Sequence, residues 1–273
     1  MPEITIFRRT IALHSAAWFI GCLLLISCSS SQEVKHKKTF FISEYNQSVP
    51  AFEDKSASDA GMSISLSLID AKEANLAGFI RSILYDGIGA EEYAGKLIED
   101  LTNDYKEALA ENSEWAMIWL WVYEEKQTLD VRDYYAVIFR DTYMFLGGAH
   151  GNNYARRLVI NINSRELLSL YDTILEAGFD RLKSALEREL RLLSESLMEE
   201  ALPPGTPLSQ GIFFEDDFAI QDYYPAADGL HFYWNAYDLA AYVFGPIEIT
   251  LGWNEIEELL SPKGIALSRA FKK

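Results

Sequence analysis

The chain is predicted to fold as an α+β protein: a mainly antiparallel sheet packed by helices, in one compact body made of two halves. Three observations predict this. Strand-like alternations follow one another in runs, helix-period stripes are inserted between the runs, and 49% of the 273 residues are hydrophobic, with 13% aromatic. Runs of strands broken by helical inserts, rather than a strict strand–helix alternation, point to an antiparallel α+β fold. The composition is too apolar for a disordered chain and ample for a large core.

The N-terminal stretch reads as an address rather than as part of the fold. Arg8 and Arg9 precede an apolar run from Ile11 to Ile26, which breaks into Cys28-Ser29-Ser30-Ser31-Gln32. A positive flank, an apolar centre and a small residue before the cut define a secretory signal. Leu25-Ile26-Ser27-Cys28 resembles a bacterial lipobox, so residues 1–27 are expected to be removed and Cys28 to carry the lipid (palmitate). Cys22 is a second candidate, but apolar Leu23-Leu24-Leu25 would then follow the cut, where a polar tether is expected. An uncleaved membrane helix is the other alternative, although the run is short for a span. Residues 28–38 then form a lipidated tether, polar at first and basic at Lys35, Lys37 and Lys38. Cleavage before Cys28 would remove two Arg and one Glu, taking the charge from −17 to −18. It would also leave Cys28 as the one cysteine, so the fold must rest on packing rather than on a disulfide.

Two halves come after the tether, 39–163 and 164–262, then a C-terminal tail at 263–273. In the first, Thr39 to Ser43 opens a strand, and Met62-Ser-Ile64-Ser-Leu66-Ser-Leu68 alternates strictly, as a strand with one wet face does. Tyr93, Leu97, Leu101, Tyr105 and Leu109 recur every four residues, one stripe of a helix that Asn112-Ser113 ends. From Trp115 to Leu129 the apolar residues fall on both alternating faces, which predicts a mid-sheet strand covered on both sides. Tyr134 to Phe145 and Asn153 to Ile162 supply two more strands, joined through Gly147 and Gly148, which suit the positive φ of a hairpin turn. The second half opens with a helix from Phe179 to Glu200, its stripe Phe179, Leu182, Leu186, Leu190, Leu193 and Leu197. Pro203-Pro204-Gly205 stops that helix. Short strands at Phe218–Tyr224, Leu230–Trp234 and Ile247–Leu251 precede a last helix at Trp253–Leu260.

Charge and motifs narrow the function. With 41 Asp+Glu against 24 Lys+Arg, the chain lacks the basic face that nucleic-acid binding needs. An acidic surface instead attracts cationic partners. Of four histidines only His150 and His231 fall in the predicted fold, too few for a catalytic zinc, so neither metal nor cofactor is expected. No Gly-x-Ser-x-Gly elbow occurs, Glu215-Asp216-Asp217 lacks the spacing of a calcium loop, and Asp238 and Glu248 are only the nearest thing to a carboxylate pair. The aromatics Tyr233, Trp234, Tyr237, Tyr242 and Phe244 read first as core, and otherwise as a stacking surface.

Two segments are more specific than their composition. One is Tyr143-Met-Phe-Leu-Gly147-Gly148-Ala-His150-Gly151-Asn152, followed by Asn161-Ile-Asn163 and Leu167-Leu168-Ser-Leu170-Tyr-Asp172. The other is Gly229-Leu-His231-Phe-Tyr233-Trp-Asn235-Ala-Tyr237-Asp238-Leu-Ala-Ala-Tyr242-Val-Phe-Gly245-Pro246-Ile-Glu248. Both resemble the extracytoplasmic domains of unknown function shared by the anti-sigma factor RsiV and the peptidoglycan deacetylase PdaC. The resemblance covers roughly residues 39 to 262, strong after Tyr143 and weak before it. Gly151 replaces the family's usual proline, Val243-Phe244 is bulkier than its usual small pair, and Trp253 replaces a tyrosine.

The resemblance implies a ligand-binding module, not an enzyme, held in the cell envelope. For the RsiV ectodomain it implies capture of C-type lysozyme, a strongly basic protein. The candidate ligand-binding residues are Tyr143, Gly147, Gly148, His150, Asn152, His231, Tyr233, Tyr237 and Tyr242. The expected partners are the membrane, through the anchor, and a cationic protein such as lysozyme. A cell-wall glycan stacked on the aromatics is the alternative, and a cell-wall hydrolase a third reading. The sequence does not choose between inner and outer membrane.

Overall fold

The computed structural model describes residues 39–51, 61–111, 120–200, 202–203 and 205–272. The predicted signal, Cys28, the tether and Trp115 to Trp119 lie outside the described residues. Among the described residues, nine strands and six α-helices form an α+β fold dominated by antiparallel pairing. A six-stranded sheet runs in the order β1 (Phe40–Pro50), β2 (Gly61–Ala71), β3 (Leu120–Arg132), β4 (Tyr135–Phe145), β5 (Asn152–Asn161), β6 (Glu166–Leu168). Within it only β2 and β3 are parallel. Between them lie α1 (Ala74–Leu84) and α2 (Ala90–Ala110), the kind of long crossover that parallel neighbours require.

Strand periodicity decides which layer each residue joins. On β2, Met62, Ile64, Leu66 and Leu68 are buried under α1 and α2, while Ser63, Ser65 and Ser67 take the wetter face. On β4 and β5 both faces are covered: Ala136, Ile138, Leu158 and Ile160 join the helical layer, and Val137 and Val159 join a second core. That core is built by the C-terminal half. Its parts are α3 (Leu170–Thr173), α4 (Phe179–Met198), the antiparallel sheet β7 (Asp222–Pro225), β8 (Gly229–Trp234), β9 (Ile247–Gly252), then α5 (Trp253–Ile256) and α6 (Pro262–Phe271).

Five expectations need correcting. The described part of β3 is central but is not covered on both sides. Trp121, Glu125, Gln127 and Val131 are buried, whereas Glu124 and Lys126 face solvent, because the C-terminal half covers β4 and β5 and stops short of β3. The first half does not end at 163, since β6 still pairs with β5. The α4 stripe passes from Leu190 to Ser194, not to Leu197: Ser194 is buried with its hydroxyl accepting the Ile212 N–H, and Leu197 is exposed. The strand expected from Phe218 begins only at Asp222. The expected tail is α6, capped by Ser261 and buried through Leu267, Ala270 and Phe271.

The two halves meet along β5, which lies against β7. β5 pairs with β6 only over Val159 to Asn161, leaving the edge at 155–157 without a strand partner. Side chains from the C-terminal half satisfy that edge. Asn235 accepts the Ala155 N–H (2.6 Å) and donates to its carbonyl (3.2 Å), and Asp222 accepts the Arg157 N–H (3.2 Å). A bare strand edge is thereby closed to further pairing.

Candidate functional site

The β4–β5 turn and the segment after β8 meet. Gly147 (φ 86°) and Gly148 (φ 103°) take the left-handed conformations that turn the hairpin. The turn delivers His150 onto Tyr242, with stacked rings 3.9 Å apart at 15°. The Tyr242 hydroxyl donates to the Gly151 carbonyl at 2.7 Å, and His150 Nδ1 lies 3.2 Å from the same oxygen. Tyr143 closes over Gly151 so tightly that a Cβ there would stand 2.4 Å from its ring. Tyr237 extends the series, 5.5 Å from Tyr242. The structure thus joins Tyr143, Gly147, Gly148, His150, Tyr237 and Tyr242, while the Asn152 side chain is exposed nearby.

The far side of Tyr242 is open. A 3₁₀ turn over Tyr242–Phe244, ended by Gly245, leaves Val243 83% exposed and Phe244 exposed as well. With Asn153, Ala236 and Pro246 they border a cleft of about 290 Å³. Val243 and Phe244 are therefore placed on the surface, where exposed apolar groups clustered beside a cleft suit a contact.

His231 and Tyr233 belong to a different cluster, on the polar face of the three-stranded sheet. His231 Nε2 meets Asp228 at 2.8 Å, and its Nδ1 meets Glu248 at 2.8 Å and Thr250 at 3.0 Å. Tyr224 stacks on the imidazole at 4.7 Å and donates to Glu248 at 2.9 Å. Burial would lower the histidine pKa, but the hydrogen bonds from Glu248 and Asp228 outweigh it and raise the value. The His231 hydrogen bond in turn holds both carboxyls below their usual range. With both nitrogens engaged, the ring is a clamp rather than a proton shuttle. Tyr233 carries the Arg157 guanidinium 4.8 Å above its ring, and Arg157 pairs with Asp141 (2.7 Å). Asp222 sits beside Arg156 and Arg157, yet burial keeps its pKa raised.

The remaining candidates separate. Asp238 accepts the Asn235 N–H at 2.7 Å while Glu248 serves His231, so no bond joins the two carboxylates. Trp234 is core, its indole N–H donating to Ala219. Among the described residues no group of three or more His, Cys, Asp or Glu is placed to hold a metal ion, and no helix is long and apolar enough to cross a membrane.

One buried polar cluster has no counterpart among the sequence expectations. The Glu125 side chain is 0% exposed and takes Arg140 Nε (2.9 Å), Gln127 Nε2 (2.6 Å) and the Tyr93 hydroxyl (3.1 Å). Tyr85 donates to Gln127 (2.6 Å), and burial drives the Tyr85 and Tyr93 pKa values upward. Burial likewise pushes Tyr123, beside Glu125, up to about 12. The signal was present in the even spacing of Glu125 and Gln127 from buried Trp121, four and six residues further along, once that strand's phase is known.

Comparison with known proteins finds likeness of fold along most of the chain and one family match in the C-terminal half. A crystal structure of a DUF3298 family member from Bacteroides fragilis matches with a TM-score of 0.66 at 17% identity, over 83% of this chain and 94% of that one. A DUF3298 family protein from Pseudomonas aeruginosa matches with a TM-score of 0.53 at 15% identity, over 82% and 94%. At these identities the likeness is one of fold. The comparison with curated proteins gives no match. The family model described as "Protein of unknown function (DUF3298)" matches residues 173–254, the stretch from the end of α3 into α5 that includes Tyr237 and Tyr242.

Proposed function

We propose that this protein is a lipid-anchored binding module of the bacterial cell envelope, related to the RsiV and PdaC extracytoplasmic domains, that captures a basic envelope-active protein such as lysozyme without acting as an enzyme. The observation that carries the reading is the ring series His150, Tyr242 and Tyr237 beside exposed Val243 and Phe244. Aromatic groups at a cleft supply contact energy, and a net charge of −17 steers a cationic partner toward them. Cys28 supplies the anchor, and Cys28→Ser is expected to abolish membrane partition without harming the fold.

The test is calorimetric titration of the detergent-solubilised chain with hen-type lysozyme at low and physiological salt. Micromolar or tighter binding that weakens with salt and is lost in Tyr242→Ala is expected. Absence of heat at either salt, from a folded protein, removes lysozyme capture. The flat, exposed Tyr237 ring favours a second reading, stacking of a cell-wall glycan, whose binding would hardly respond to salt.

A further inference from the structure

We propose that the pocket bordered by Tyr237 and Trp234 receives a cationic side chain, arginine or lysine, from a protein partner. The inference deepens the reading of a basic partner and rests on it. The pocket, about 340 Å³, is walled by Phe214, Phe218, Trp234 and Tyr237. Glu215, Asp217 and Asp238 line it as well. Aromatic faces combined with carboxylates answer both needs of a cation leaving water, a π surface and a counter-charge. A purely apolar guest would strip water from those carboxylates and return nothing.

The protein already displays this chemistry with a residue of its own. Lys183 of α4 pairs with Asp217 and holds its ammonium 5.6 Å from the Phe218 ring centre. That hydrogen bond keeps the Asp217 carboxyl below its usual range. One ammonium is thus seated on one wall and one carboxylate, while Glu215 has no ion-pair partner among the described residues. The walls are also fixed in advance. Phe218 meets Trp234 edge-on at 6.0 Å, and the Trp234 indole is tied to Ala219 at 2.7 Å.

Tyr237 is an exposed wall of the pocket. Its φ is +74°, a conformation costly for a tyrosine, and the residue is 55% exposed. A turn in which Asp238 bonds the Asn235 N–H (2.7 Å) and its own N–H bonds the Asn235 carbonyl (3.1 Å) holds it there. A strained, exposed aromatic held by its turn at the edge of the pocket is already in place for contact.

The experiment titrates the full chain with N-acetyl-arginine methylamide and, separately, with its uncharged isostere N-acetyl-citrulline methylamide, following the Trp234 indole and Tyr237 ring by NMR. Saturable shifts with the arginine probe, about tenfold weaker with citrulline, are expected. Glu215→Gln is expected to weaken the arginine probe about threefold or more. Tyr237→Gly relieves the strain and so keeps the fold, yet removes a wall, and should lose the shifts. Equal affinity for the two probes, no shift at Trp234, or an unaltered titration in Tyr237→Gly overturns the proposal. If lysozyme is captured while the arginine probe leaves Trp234 unmoved, the pocket assignment falls and the capture reading stands. If the probe binds and lysozyme does not, the pocket stands and lysozyme is the wrong partner.

Discussion

Asn235 binds both backbone groups of Ala155, accepting its N–H at 2.6 Å and donating to its carbonyl at 3.2 Å. One side chain from the C-terminal half thereby replaces a missing strand along β5. Both residues are buried, so truncation leaves a donor and an acceptor stranded away from water, and an unmet buried polar group costs about 1–3 kcal/mol. Asn235→Ala is therefore expected to destabilise the protein by about 2–4 kcal/mol, read from the urea midpoint at unchanged slope. Asn235→Asp keeps the acceptor but buries a charge, and should be no better. A loss under about 0.5 kcal/mol, in the range of an ordinary surface change, would show that the edge has other partners.

Gly151 and Gly229 are both crowded, but by different things. A Cβ at Gly229 would lie 2.2 Å from the Leu251 carbonyl oxygen, on the backbone of the paired strand. At Gly151 it would meet only the outer end of the Tyr143 ring. A backbone cannot give way without breaking the β8–β9 ladder, whereas a half-exposed tyrosine can swing aside. Gly229→Ala should therefore cost about 3 kcal/mol or more, and Gly151→Ala about 1 kcal/mol, compared by urea unfolding. Tyr143→Ser should suppress the Gly151→Ala loss and leave the Gly229→Ala loss intact. Equal costs for the two alanines would refute this account of the crowding.

Local pattern carried the elements further than it carried the site. The alternation at Met62–Leu68 and the four-residue spacing of Leu182, Leu186 and Leu190 are properties of neighbours in sequence, so they survive into the fold unchanged. Gly147-Gly148 announced its turn for the same reason. The stacking of His150 on Tyr242 is set by how two halves dock, across some ninety residues of chain, and no periodicity encodes it. Both segments stood out, but their meeting did not. Glu125 shows the reverse failure. A carboxylate in a strand reads as solvent-facing until the register opposite Thr142 turns it inward beside Arg140. Burying such a pair has a large desolvation cost, offset here by Gln127 and Tyr93, and none of those partners is adjacent in sequence. The helix α6 lies past the boundary of the resemblance and is absent from the expected elements, although Ser261-Pro262 is an N-cap followed by proline at the first helical position.

His231 makes stability depend on pH in a direction that can be worked out. Its pKa is raised in the fold, so its contribution is complete below the ordinary histidine range and is lost as pH rises through the elevated value. Asp228 and Glu248 are lowered, so theirs is present above the ordinary carboxylate range and lost as pH falls through the depressed values. The clamp therefore stabilises most between the two, at about pH 5 to 6. The groups facing the imidazole are Asp228 from the β7–β8 turn, Tyr224 from β7, and Glu248 and Thr250 from β9. Asp228 and Glu248 are 67% and 40% exposed, and solvent screening holds the gain to about 1 kcal/mol. His231→Gln should cost about that much at pH 5.5, and less at pH 8.5 as pH rises through the elevated histidine value. Urea unfolding of both proteins at the two pH values measures the difference. A cost that is the same at both would mean that His231 contributes through packing against Tyr224 and not through its charge.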